Sequence, residues 1–336
     1  MEKKLLTAAE IRDRTRPRQL TGYQAGARDR CLHSTHTKLI QYMPPPAAEQ
    51  FSLAPDLRSR FIAFAKFALF VLLLYVLLEL ITIVTRSIHV SSVGAQALLG
   101  NAIVALTAIT VTYALSRFDA LSFGAFGLGN PSGGIRNFLF GLCLGGVLLS
   151  GLLLLLRIVS GFRFGNVSPP GLDAAEFAVL YAALFLVVAF AEETLVRGYA
   201  LVKLSQSISF WPAAIVLSLI FGAIHLKHGA ENLLGIFFAG LFGFVLAWSF
   251  RRTGSLWFAL GVHAGWDYAE SFIFGVPDSG VILPGALLRP HMGNPAWLTG
   301  GGAGPEGSIL MLLVFLALAL VIRCTPSLAA RPLLHC

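Results

Sequence analysis

The sequence predicts an all-α polytopic membrane protein with about eight transmembrane helices. It also predicts a polar catalytic cavity among spans 4, 5 and 7. Three observations carry this reading. Of 336 residues, 12% are charged and 56% are hydrophobic, against about 25% charged in ordinary soluble chains. Apolar runs of about 17–25 residues, the length that crosses a bilayer, recur after residue 60. Ionisable residues inside those runs fall into three clusters in the second half of the chain. A disordered chain, a collagen-like chain and a soluble enzyme of ordinary surface are excluded.

Residues 1–60 hold 11 Lys/Arg and 6 Asp/Glu and are broken by Pro44-Pro45-Pro46. They read as a basic, mostly flexible tail with a short helix near Thr7–Arg14. A pI near 9.6 could suggest nucleic acid. A tail lying beside anionic lipid explains it better, because positive residues stay on the inner side of membranes. No signal peptide is expected, because the first apolar run begins only near Phe61, after a long polar tail,. Cys31, Cys143, Cys324 and Cys336 show no CxxC spacing and give no disulfide or zinc-ribbon framework.

The transmembrane domain is 61–336. Its spans fall near 61–84, 93–115, 135–157, 174–203, 208–226, 232–250, 254–273 and 307–323. The fourth exceeds what a bilayer needs and carries charges; the eighth is short but nearly pure Leu, Val and Ala. The Gly- and Pro-rich stretch 274–306 reads as a long outer loop. With the tail inside, the inner side collects Arg117, Lys203, Arg251, Arg252, Arg323 and Arg331. The outer side collects Arg86, Arg163, Lys227 and Arg289. Both termini are therefore expected in the cytoplasm.

An ionisable side chain in lipid is costly, so each one inside a span is a functional candidate. The first cluster is EETLVR at 192–197, the second FGAIH at 221–225, the third HAGWD at 263–267. Glu193 and Arg197 are four apart, share a helix face and can pair. Glu192 is turned by about 100° from Glu193 and has no built-in cation. His263 and Asp267 also share a face, where Asp267 can accept a hydrogen bond from His263, fixing its tautomer and favouring the imidazolium. Glu270 continues roughly that face toward the end of the span. With turns near 206 and 252, Glu192, His225 and His263 lie about 21, 28 and 16 Å from the inner ends at 1.5 Å per residue. Helix tilt accommodates that spread, so one shared cavity is expected. The structural alternatives are a buried pair at Glu193–Arg197 and a helix-packing bond at His263–Asp267.

A carboxylate and two imidazoles in a dry cavity suit activation of water. Glu192 would be the general base, its pKa raised by desolvation. His225 and His263 would position the water, donate to the oxyanion, or hold a metal. Glu192, His225 and His263 are chemically a zinc set. Zinc is therefore one candidate cofactor and metal-free, glutamate-activated water the other. The second is preferred, because no further ligand motif is visible. HExxH, Gly-x-Gly-Asp and Gly-x-Ser-Gly signatures are absent,.

In order and spacing, the three motifs resemble those of the CAAX prenyl protease and bacteriocin-processing family, the Abi membrane proteases: EExxxR, FxxxH, and Hxxx followed by Asn or Asp. The resemblance covers about 173–273, the protease-like core. It implies an all-helical membrane fold and an intramembrane endopeptidase of the glutamic or metallo type. It places Glu192, His225, His263 and Asp267 in the catalytic cavity, with Glu193 and Arg197 in support. The implied partners are membrane lipids and a peptide or protein substrate, with membrane-anchored and prenylated ones among the candidates, and no nucleic acid. Two rival readings are a non-catalytic immunity or scaffold protein and a proton-coupled transporter. Inert substitutions at Glu192 or His225 would favour the scaffold, and symmetric halves the transporter; the sequence has neither.

Overall fold

A computed structural model describes residues 51–85, 90, 92–129, 131–167, 172–227, 230 and 232–325. The expected Thr7–Arg14 helix, Arg86, Arg331, Cys31 and Cys336 lie outside the described residues. Each expected apolar segment is helical. The helices are α1 (Leu57–Thr85), α2 (Val93–Phe118), α3 (Pro131–Val159), α4 (Leu172–Arg197), α5 (Tyr199–Ile208), α6 (Phe210–Ile224), α7 (Leu233–Thr253), α8 (Trp257–Asp267) and α9 (Met311–Cys324). Among the described residues, five segments are long and apolar enough to cross a membrane, with α4 and α5 counted together; α6 and α9 are apolar but shorter. The protein is an all-α, multi-pass integral membrane protein. Leu, Val and Phe line the outward faces of α1, α4 and α6 (Leu72, Val179 and Leu219 among them), as a lipid-facing surface requires.

The fourth segment departs from a single long span. It breaks at Gly198, whose backbone (φ −72°, ψ −117°) is not helical. A Cβ there would overlap the Thr194 carbonyl, so glycine permits the close approach that ends α4 just after Arg197. The chain then turns again at Ser209, which has a φ of 74°.

Helix α8 carries the third motif and is set by close backbone packing. Gly141 and Gly145 on α3 face Phe258 and Val262 of α8, while Gly261 and Gly265 on α8 face Phe138 and Leu142 of α3. A Cβ at any of the four would overlap a facing carbonyl. Helices in lipid associate through such van der Waals contact between small residues. This seam turns the opposite side of α8, with His263 and Asp267, inward. Beyond Asp267 the helix widens into a π-helix over Tyr268–Phe274, a form frequent at functional sites.

Residues 275–310 are ordered rather than a plain loop. Strand β2 (Leu288–His291) pairs antiparallel with β1 (Arg163–Val167), a small ribbon added to the expected all-α architecture. Asn232 caps α7 by accepting from Gly235 N at 2.9 Å, and donates to Gly300 O at 3.0 Å. Tyr181 on α4 donates to Pro284 O. The segment is thereby anchored to α4 and α7. At the other end, Phe51 is buried against Phe210 and Phe250, so packing begins before the expected boundary at 61.

Candidate active site

Helix α4 presents Glu192 and Glu193 near its end. The adjacent positions diverge as helix geometry demands: the Glu193 side chain is fully buried, whereas that of Glu192 is 33% exposed and lines a cavity of about 250 Å³. Glu193 Oε1 accepts from Arg197 Nη1 at 2.5 Å. Arg197 is 1% exposed. It also donates through Nε to Gly243 O of α7 at 3.2 Å and lies over the Phe221 ring of α6, 4.7 Å from its centroid. One guanidinium thus fastens α4 to α6 and α7. Removal of the Gly243 hydrogen would crowd it, since a Cβ there would meet Arg197 Nη2.

The expected His263–Asp267 pair is present, but His263 has a second, closer partner. His263 Nδ1 meets Glu193 Oε1 at 2.9 Å, and since a carboxylate only accepts, Nδ1 carries the proton. Asp267 Oδ2 lies 3.5 Å from the other nitrogen, Nε2, and Glu192 Oε2 lies 3.7 Å from it. The group that orients the ring is therefore Glu193. The sequence reading paired Asp267 with His263 because they share a helix, but the α4–α8 approach brings a better-placed carboxylate from another helix. Glu193 is consequently shared between Arg197 and His263, not reserved for the arginine.

His225 opens the short 3₁₀ turn His225–Lys227 after α6. Its Nδ1 lies 2.8 Å from Phe221 O, which again makes Nδ1 the donor, and the ring lines the cavity. Glu192, His225, His263 and Asp267, drawn from three spans, all border the same space. Among the described residues, however, Glu192, His225 and His263 do not bring three ligand atoms within 4.8 Å of one another. A tetrahedral zinc ion with bonds near 2.0–2.2 Å needs its ligands within about 4 Å. In this arrangement the three residues do not fit one zinc ion.

Five further acidic or polar residues on the cavity wall were not singled out in the sequence: Asn101, Ser271, and, on the 275–310 segment, Asp278, Ser279 and Glu306. The last three belong to 275–310, which reads as a loop, and single acids in a Gly-rich loop carry no periodic signal. Ser279 Oγ donates to Glu306 Oε2 at 2.6 Å and Trp266 Nε1 to Glu306 Oε1 at 3.1 Å. Ser271 Oγ donates to Asp278 Oδ2 at 3.0 Å. Burial and the neighbouring Glu306 push the Asp278 carboxyl up to about 8.

Fold and site together define a multi-pass membrane protein with carboxylates and imidazoles gathered in a cavity between its spans. Residues 174–269 match the family model described as type II CAAX prenyl endopeptidase, Rce1-like. That is the family the three motifs resemble, and the matched stretch runs from α4 through α8. No curated protein and no solved structure matches the chain.

Proposed function

We propose that this protein is an intramembrane endopeptidase that hydrolyses a peptide bond with water activated by Glu192. The observation that carries the reading is the pairing of a partly exposed Glu192 with a fully buried, neutralised Glu193 at one cavity. The family match at 174–269 supports the activity class. Glu192 takes a proton from water as the oxygen attacks the scissile carbonyl, then returns it to the leaving nitrogen as the C–N bond breaks. His263, its Nδ1–H held by Glu193, acts as an imidazolium and offers Nε2–H to the developing oxyanion. His225, with Nδ1 turned to Phe221, uses Nε2 to accept a hydrogen bond from the attacking water. Asp267 balances the charge on His263. No step passes through a metal.

The substrate we propose is a peptide or protein segment held at the membrane, with prenylated C-termini as the first class to test. We infer from the excess of Lys and Arg on one side that both chain termini face the cytoplasm. The test is cleavage of a prenylated, CAAX-ending peptide by full-length protein in detergent. Glu192→Gln should reduce turnover by about 10²–10⁴-fold, the range of a general base, with an unchanged unfolding temperature. Near wild-type turnover by a folded Glu192→Gln protein would overturn the mechanism. No cleavage of any membrane-anchored peptide by the wild type would favour a binding protein instead.

A further inference from the structure

Glu270, Asp278 and Glu306 each bring a carboxylate oxygen within 4.8 Å of the others. Glu270 is completely buried, and among the described residues neither of its carboxylate oxygens has a hydrogen-bond partner. The indole of Trp266 is close to it, but its single N–H is directed to Glu306. Among the described residues no Lys, Arg or His forms an ion pair with any of the three. Desolvating a carboxylate without a partner costs several kcal/mol, which is why buried charges are paired or coordinate metals.

We propose that Glu270, Asp278 and Glu306 form a calcium site between the π-helical end of α8 and the 275–310 segment. The donor set is all oxygen, which selects a hard cation over zinc. Calcium–oxygen bonds of 2.3–2.6 Å let two ligands on one ion stand up to about 5 Å apart, and the 4.8 Å limit of this cluster lies within that. Hydroxyl donors Ser271 and Ser279 and the Trp266 indole already orient Asp278 and Glu306, as outer hydrogen bonds orient ligands in metal sites. The ligand residues are not those of the proposed hydrolytic mechanism. Asp278 and Glu306 nevertheless border the same cavity, so the ion would hold that wall to α8.

The test uses full-length protein in detergent, stripped of divalent ions by chelation and dialysis and titrated with CaCl₂. Unfolding temperature and calorimetric stoichiometry are followed. One calcium per chain should bind and raise the unfolding temperature by several degrees. Glu270→Gln and Asp278→Asn should each weaken binding by about tenfold or more. Glu192→Gln and His225→Ala should retain the calcium response, which separates this site from an ion held by the histidines and makes the outcome independent of cleavage. Absence of a calcium response in the wild type would overturn the site. So would an unchanged response in whichever cluster variant folds, and an equal response to magnesium would overturn the choice of ion.

Discussion

Asp119 and Glu270 are both shielded carboxylates, but their surroundings differ. Asp119, just after α2, is met by Lys66 of α1, by Lys203 Nζ of α5 at 2.8 Å and by Tyr199 Oη at 3.0 Å. Its side chain is 2% exposed yet fully partnered, and three helices are pinned together. Glu193, held by Arg197 and His263, follows the same logic. Among the described residues Glu270 meets two more carboxylates and no cation. The contrast teaches that burial alone does not assign a role. A matched carboxylate is a brace, whereas an unmatched cluster needs a ligand or protons to persist.

The largest effect expected on stability is at the matched pair of the active site. Arg197→Met leaves Glu193 buried without its guanidinium and should cost about 3–5 kcal/mol, read as a lower unfolding temperature in detergent. Adding Glu193→Gln to that variant should recover part of the loss. If neither change moves the melting temperature, the pair is not a brace and the comparison fails.

Asp119→Asn should follow, at about 3 kcal/mol, because Lys203 is left buried. This prediction carries a pH signature. Burial pushes the Asp119 carboxyl up, but Lys203 and Lys66 outweigh it and hold it below its ordinary value of 3.8. A lowered folded value means that the contribution is present above pH 3.8 and is lost as pH falls through the folded value,. The stability gap between wild type and Asp119→Asn should therefore stay level from pH 7 to about 5 and close below about 4. A gap that persists at lower pH would assign the loss to packing.

Glu270→Gln should move in the opposite direction. In chelated protein it replaces an acid that no described cation balances by a neutral amide, and above about pH 8, where Asp278 also ionises, it should raise stability by about 1 kcal/mol. A loss like that of Arg197→Met would show that Glu270 is paired. The smallest effect belongs to Lys66→Ala. The Lys66 side chain is 36% exposed and Lys203 remains, so less than about 1 kcal/mol is expected by thermal denaturation.

The chain alone located much of this. Hydrophobic run length found the long apolar helices, because a span must satisfy its backbone internally and its length is set by the bilayer, but it did not show the break at Gly198 that separates α5 from α4. The costly polar residues Glu192, Glu193, Arg197, His225, His263 and Asp267 were legible for the same reason, and i,i+4 spacing identified Glu193–Arg197 as a pair. The segment 174–269, where the family match lies, coincides with those motifs.

Tertiary packing decided the rest. Glu193 joins Asp267 as a partner of His263 and makes the shorter contact; that contact runs between helices and no spacing within one helix encodes it. The α3–α8 glycine seam sets which face of α8 turns inward, and it depends on two segments more than 100 residues apart. Asp278 and Glu306 reach the cavity only because 275–310 folds back onto the bundle through Asn232, Tyr181 and the β1–β2 ribbon. Local periodicity reports which residues share one helix; which carboxylates finally share a pocket is a property of how separate elements close on each other.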